Sequence, residues 1–200
     1  MTMRIRSIAE FDWYISSTQR ILKTLAELLN EVDPELGAAT EQYQIDDAID
    51  RAENVLGLAF VVAQVYITGT IAMLNRMSRL QTPINKFESL AAFGAPLEGR
   101  ATTDVQLADA IANFYKHHDE WHDMNKPGPH ARTIKTLEGA GIDITDPYPC
   151  VQAGEILFPS TTPEYLARLL TMLTRWRERQ IDATRKSPAQ ADSLLNRSGT

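Results

Sequence analysis

Histidine side chains are concentrated in one short segment of this 200-residue chain. The four histidines, all within fourteen residues, are His117, His118, His122 and His130. Histidine titrates near neutral pH, transfers protons and binds metal ions, so the segment is where chemistry is most expected. The amide of Asn113, the ammonium of Lys116 and the carboxylate of Glu120 lie in the same segment and could take part in such a site.

On a helix these side chains divide into two groups, because successive residues turn by ~100°. The first group consists of Asn113, Lys116, His117 and Glu120. His118 and His122 lie on the opposite face, as a continuation of an apolar stripe. The four histidines therefore cannot all converge while the segment stays helical.

The second group predicts one kind of site, a metal centre. His118 and His122 are four residues apart, and His130 or Asp123 could complete the ligand set from the following turn. The alternative is that both rings lie at the core edge and bond to a carbonyl or carboxylate. The sequence contains no Gly-rich phosphate loop or dinucleotide fingerprint, so no organic cofactor is predicted.

The first group predicts a different kind of site, in which Asn113 and His117 act together. The run Ala112-Asn113-Phe-Tyr-Lys116-His117 follows a long helical hairpin and resembles the HEPN family. These are helical-bundle proteins of prokaryotic toxin–antitoxin and phage-defence systems, and many are RNases. The family pattern is an Arg, a polar residue that is often Asn, a few more residues and a His. The resemblance covers the helix order from about Ile45 to Trp121 and only a handful of motif residues.

That resemblance implies RNA binding or cleavage, in a homodimer. His117 would be the general acid or base at the 2′-hydroxyl, Asn113 would orient it or the phosphate, and Lys116 would neutralise charge. The family's arginine position holds Ala112, so the planar phosphate clamp is missing. Because some family members bind without cleaving, enzymatic activity stays open.

Three alternatives remain beside RNA chemistry. The first is a non-catalytic module of the same fold that binds a protein partner. The second is a metal-dependent hydrolase built on His118 and His122. The third is that the Asn113–Glu120 segment is an ordinary solvated helix face without a function.

Composition and net charge bear on two questions, namely which partners the protein binds and in which cellular compartment it acts. A net charge of −6 removes the global attraction that non-specific nucleic-acid binders use. The single cysteine, Cys150, cannot form an internal disulfide, and the N-terminal residues do not resemble a signal peptide. Together these features predict a cytoplasmic protein with an inert thiol.

One segment raises the question of a membrane. No residue from Asn54 to Asn75 is charged, and the 55–74 stretch is long enough for a spanning helix. Gln64, Thr68 and Thr70 lie within it and favour a central bundle helix buried on all sides. No membrane contact is therefore expected.

The periodicity as a whole predicts an all-α helical bundle with a long central helical hairpin and a C-terminal helix. One domain is expected over residues 1–186, followed by a flexible polar tail over 187–200. The expected helices run from about Ile8 to Val32, 45 to 80, Thr102 or Thr103 to Trp121, 131 to 138, and onward from a capping box at Thr161–Glu164. The segments 82–99 and 143–160 are expected to be a connector and a loop, the latter with an extended piece at 156–158.

The last helix carries a separate basic feature. Arg168, Arg175 and Arg179 share one of its faces. They would contact phosphates or an acidic partner, or else simply provide favourable charge near a helix C-terminus.

Overall fold

The computed structural model describes residues 14–78, 83–121, 128, 130–158 and 165–186. Within these residues the chain is all-α, as predicted, with an isolated bridge between Pro96 and Thr103 in place of any strand. In chain order the helices are α1 (Ile15–Leu29), α2 (Val32–Ala38), α3 (Gln42–Ser78), α4 (Lys86–Phe93), α5 (Asp104–His117), α6 (Ala131–Gly139), α7 (Pro149–Leu157) and α8 (Tyr165–Lys186).

The long helix α3 is the centre of the bundle. It packs against α1, α2, α5, α7 and α8. Its buried side includes Leu56, Phe60, Ala63, Ile67 and Leu74, which belong to one continuous core with residues of α1, α5 and α8. The predicted helix from 45 to 80 is thus confirmed over its described residues, and it begins three residues earlier than predicted, at Gln42.

The expectation that the charge-free part of α3 is buried on all sides is wrong. Leu58, Val65 and Thr68 are exposed along one face. By length and composition, the helix over Gln42–Arg76 could cross a membrane, and 56% of its most apolar window is buried inside the bundle. This burial is compatible with a soluble protein.

The first helix ends earlier than the predicted end at Val32. Thr18, Leu22 and Leu25 are buried, but α1 stops at Leu29 and a separate helix, α2, follows. Pro34 lies in the first turn of α2. Proline is tolerated there because the first N–H groups of a helix have no internal partner.

Two segments expected to lack helix contain one, so both predictions are wrong. In the expected connector, the Asn85 side chain accepts hydrogen bonds from the backbone N–H groups of Phe87 and Glu88 and begins α4. In the expected loop, α7 runs through most of the piece thought to be extended. The Glu53 carboxylate of α3 accepts the N–H groups of Cys150 and Val151, both at 2.9 Å, and caps α7.

The other predicted helices are found where expected, with one shortened. Thr103 caps α5 in a reciprocal capping box with Gln106. The helix ends at His117 and not at Trp121, with a 3-10 turn after it. The buried stripe of α8 consists of Leu166, Leu169, Leu173 and Trp176. The capping box at 161–164 and the tail at 187–200 lie outside the described residues, so the domain end at 186 stays a prediction.

Helix α3 approaches α5 closely at Gly57. A Cβ atom at this position would overlap the ring of Tyr115, whose hydroxyl donates to Asn54 Oδ1 at 3.1 Å. Glycine is therefore required by packing here, although it costs helix stability.

We predict that Gly57→Ala lowers the free energy of unfolding by about 1–2 kcal/mol, because overpacking outweighs the gain in helix propensity. The matched control is Gly37→Ala in α2, where nothing lies within 4 Å of the added methyl group. This control should raise stability by about 0.5–1 kcal/mol. Urea denaturation of both variants checks the prediction, and equal effects of the two changes would contradict it.

Candidate functional site

The last turn of α5 carries the side chains that sequence chemistry singled out. Asn113 is partly buried, and its Nδ2 donates to the Thr133 hydroxyl of α6 at 2.9 Å. Thr133 is itself 7% exposed, so this bond joins two packed helices. The amide of Asn113 thus has a structural role in attaching α6 to α5.

His117 and Glu120 are brought together, as their shared face predicted. His117 Nδ1 lies 3.3 Å from Glu120 Oε2, with the two side chains 40% and 71% exposed. An ion pair this exposed contributes little to stability, and it exists only when the imidazole is protonated. Lys116 beside it is exposed. No hydrogen bond joins Asn113 to His117 in the part of the chain that the structure describes.

Ala112 occupies the position where the resemblance expects an arginine, and its side chain is fully buried. That position faces the core of this bundle and cannot direct a cation toward His117. Positive charge near Asn113 comes from α6, where Arg132 and Lys135 flank Thr133.

The two cations of α6 line a cleft between α4, α5 and α6 of about 440 Å³. The Arg132 guanidinium carbon lies 3.9 Å from the ring centroid of Phe87, which forms part of the same wall. Two carboxylates, Asp109 and Glu88, also line the cleft, and Lys86 Nζ lies 2.9 Å from Asp109 Oδ1 and offsets the charge of that one. Sequence reasoning missed this arrangement because it placed Phe87 in a connector and not on a helix.

Helix α5 ends at His117 and His118 begins a 3-10 turn, so the expected pairing of His118 with His122 stays a prediction. His118 Nδ1 lies 3.2 Å from the Phe114 carbonyl oxygen. The rings of His118 and Phe114 stack with their centroids 5.1 Å apart, and the ring centroids of His130 and Trp121 are 5.2 Å apart. His122 and Asp123 lie outside the described residues.

Metal binding therefore remains a prediction. Among residues 14–78, 83–121, 128, 130–158 and 165–186, no group of three or more His, Cys, Asp or Glu side chains could hold a metal ion. His130 Nε2 is buried and has no hydrogen-bond partner within that part of the chain.

A feature that the sequence did not predict lies on the other side of the bundle. We call it the apolar surface, and its residues are Tyr14, Ile21, Leu28, Leu58 and Val65. Each of these side chains is between 46% and 59% exposed. The first three are spaced by seven residues along α1, and the last two by seven along α3, so each set forms a row on one helix face.

The row on α1 lies on a helix that runs beside α3. The Tyr14 ring lies against Gly69 of α3, where an added Cβ would be 3.2 Å from it. Ala26 and Leu29, near the other end of α1, line one cavity with Ala52 and Leu56. The helices therefore run antiparallel and side by side. The charge-free stretch of α3 was the available sequence signal, but full burial was the wrong explanation of it.

No protein-family model matches the chain, and no curated protein or solved structure is significantly similar to it.

Cys150 is in the first turn of α7, next to Glu53 of α3, and is fully buried. Burial raises the pKa of its thiol far above the usual range, and the nearby negative charge of Glu53 raises it further. Since the thiolate is the reactive form, the folded protein holds this cysteine in an unreactive state.

We predict that Cys150 of the folded protein fails to react with a chromogenic disulfide reagent at pH 8 over an hour. In denaturant one thiol per chain should react within minutes. Absorbance of the released thiolate measures both reactions. Rapid stoichiometric modification of the native protein would contradict the assignment.

Proposed function

We propose that this protein is a non-catalytic interaction module that associates with a second copy of itself through the apolar surface of α1 and α3. The observation that carries the proposal is the exposed face of α3, which has no charge from Asn54 to Asn75. Contiguous exposed apolar surface on a soluble bundle is typical of an interaction site.

Charge favours a second copy as the occupant. Two copies with a net charge of −6 each repel one another over most of their surfaces. The apolar surface is where they can meet without opposing like charges. A two-fold arrangement would place the Leu58 and Val65 row of one copy against the same row of the other.

The size of the surface fits a modest interface. At ~1.5 Å per residue, the row on α1 extends roughly 21 Å and the row on α3 roughly 10 Å, and a helix spacing of ~10 Å gives a footprint on the order of 300 Å². Interfaces of standard size bury ~800 Å² per partner. The polar residues around the two rows would supply the remainder.

The Asn113–Glu120 segment supports binding better than cleavage. Asn113 is hydrogen-bonded to Thr133, His117 is paired with Glu120, and Ala112 is in the core. A general acid or base needs a partner group that stabilises charge on the reacting phosphate, and α5 supplies none in the arginine position.

The single cysteine, Cys150, is buried and unreactive, as is common in proteins of a reducing compartment, and we propose that the protein acts in the cytoplasm.

RNA binding is the second candidate, and the α6 cleft favours it. Arg132 and Lys135 give the cleft two cations, and Phe87 gives an exposed aromatic ring beside Arg132. Cations next to an aromatic platform suit a phosphate backbone and a stacked base. In this candidate His117 would contact RNA, whether or not it transfers a proton.

We predict that the wild-type protein forms dimers that dissociate on dilution, and that Leu58→Glu/Val65→Glu is monomeric. Two glutamates per copy would face each other across the contact and repel. Sedimentation velocity from ~1 to ~100 µM measures this difference. Both substituted side chains are exposed, so the melting temperature should change little.

The control is Tyr43→Glu, which adds one negative charge at an exposed position of α3 outside its charge-free stretch. It should leave the dimer intact. A wild-type protein that stays monomeric at every concentration would contradict the proposal. Vesicle binding that is lost in the double variant would assign the surface to a membrane and would overturn the second-copy assignment.

For the RNA candidate, we predict retention of single-stranded RNA by the wild type without cleavage, with or without EDTA. Arg132→Gln should weaken the affinity at least several-fold, and Glu138→Gln on the same helix should not. Filter binding and gel analysis of the RNA check both statements. Cleavage that survives EDTA and is lost in His117→Ala, but not in His118→Ala, would show that the protein is an RNase.

A further inference from the structure

A second cleft lies beside α8, away from the apolar surface. Its volume is about 390 Å³, and Arg168, Arg175 and Arg179 line it from one side of that helix. Positions separated by seven and four residues lie on the same helix face, so the three guanidinium groups are directed to one region. Asp104, at the start of α5, lines the opposite wall.

The cleft is positively charged within an acidic protein. Asp104 is its one carboxylate among the described residues that line it. Burial raises the pKa of Asp104, while backbone hydrogen bonds from Ala95 and Val105 and the charge of Arg179 act to lower it. Arg175 and Arg179 beside this one carboxylate already leave a net positive charge.

The arginines differ in how firmly they are held. Arg179 Nη1 donates to the Phe93 carbonyl oxygen at 3.1 Å, which fixes the guanidinium at the end of α4. Arg175 forms no hydrogen bond or ion pair with any residue that the structure describes. A guanidinium held near a cleft without an anionic partner can form bidentate bonds to a phosphate or carboxylate.

The floor of the cleft is apolar and carries an unmatched donor. Leu157, Phe158, Met172 and Trp176 line it. Trp176 is 1% exposed, and its Nε1 is buried without a hydrogen-bond partner in the described part of the chain. Buried indole N–H groups normally donate to an acceptor, and the Nε1–H of Trp176 lacks one among the described residues.

We propose that this cleft binds an organic phosphate of nucleotide size. The arginines would hold the phosphate groups, and the apolar floor would cover the organic part. The volume lies within the ~300–1,000 Å³ range of small-molecule sites. This inference does not depend on self-association, because no residue of the cleft belongs to the apolar surface.

Isothermal titration calorimetry with three probes tests the proposal: adenosine 5′-triphosphate, inorganic pyrophosphate and adenosine. The triphosphate should bind with a dissociation constant below ~1 mM, more tightly than pyrophosphate, and adenosine should bind weakly or not at all. Equal affinity for the triphosphate and pyrophosphate would assign recognition to the phosphates alone and overturn the role of the apolar floor.

The key variant is Arg175→Gln, which should weaken triphosphate binding at least tenfold. Since Arg175 bonds to no described residue, the variant should fold and melt like the wild type. Arg20→Gln, an exposed arginine of α1, is the matched control and should change affinity less than twofold. No measurable binding by the wild type, or equal losses in the two variants, would overturn the proposal.

Discussion

The structure depends on how α3 distributes a long uncharged sequence between core and surface. Its 37 residues are too many to be enclosed on every side by the short helices of a 200-residue chain. One side is covered by α1, α5, α7 and α8, where burial of large side chains such as Phe60 and Tyr66 supplies most of the stabilisation. Between Asn54 and Asn75 the other side stays exposed while remaining free of charge.

Polar contacts then fix where the remaining helices lie around α3. Arg177 donates to the Tyr66 hydroxyl at 3.0 Å and ties α8 to α3 inside the core. The Glu53 carboxylate holds the first turn of α7. Removing one partner of a buried polar pair costs more than the bond contributes, so such contacts specify one arrangement of the helices. The arginine cleft follows from this arrangement, since α8 is held against α4 and the start of α5.

The sequence was most informative where the determining interactions are local. The Thr103 capping box and the Leu166–Trp176 stripe depend on residues within a few positions, and both were predictable. Helix α7 was not, because its cap comes from Glu53, nearly a hundred positions earlier in the chain. Helix α4 was missed although Asn85 gave a local capping signal, since nearby prolines and glycines favoured a connector.

The candidate site divides in the same way. The shared face of His117 and Glu120 follows from helical geometry, whereas the bond from Asn113 to Thr133 needs the placement of α6. The exposed rows on α1 and α3 were visible in the sequence as apolar residues. Their exposure could not be read from it, because spacing along a helix does not show which faces neighbouring helices cover. The arginine face of α8 was evident in sequence, but the cleft beneath it depends on Ala95, Phe158 and Trp176 from separate elements.

Site-specific cross-linking tests the central claim, that the uncharged face of α3 meets its own copy. Val65 lies at the middle of the charge-free stretch, where a two-fold axis would bring two copies closest. Val65→Cys should form covalent dimers with a short bis-maleimide at micromolar protein, while buried Cys150 stays unmodified. Tyr43→Cys, at an exposed position on the same helix, should not. Equal cross-linking at both positions, or none at Val65, would contradict the account.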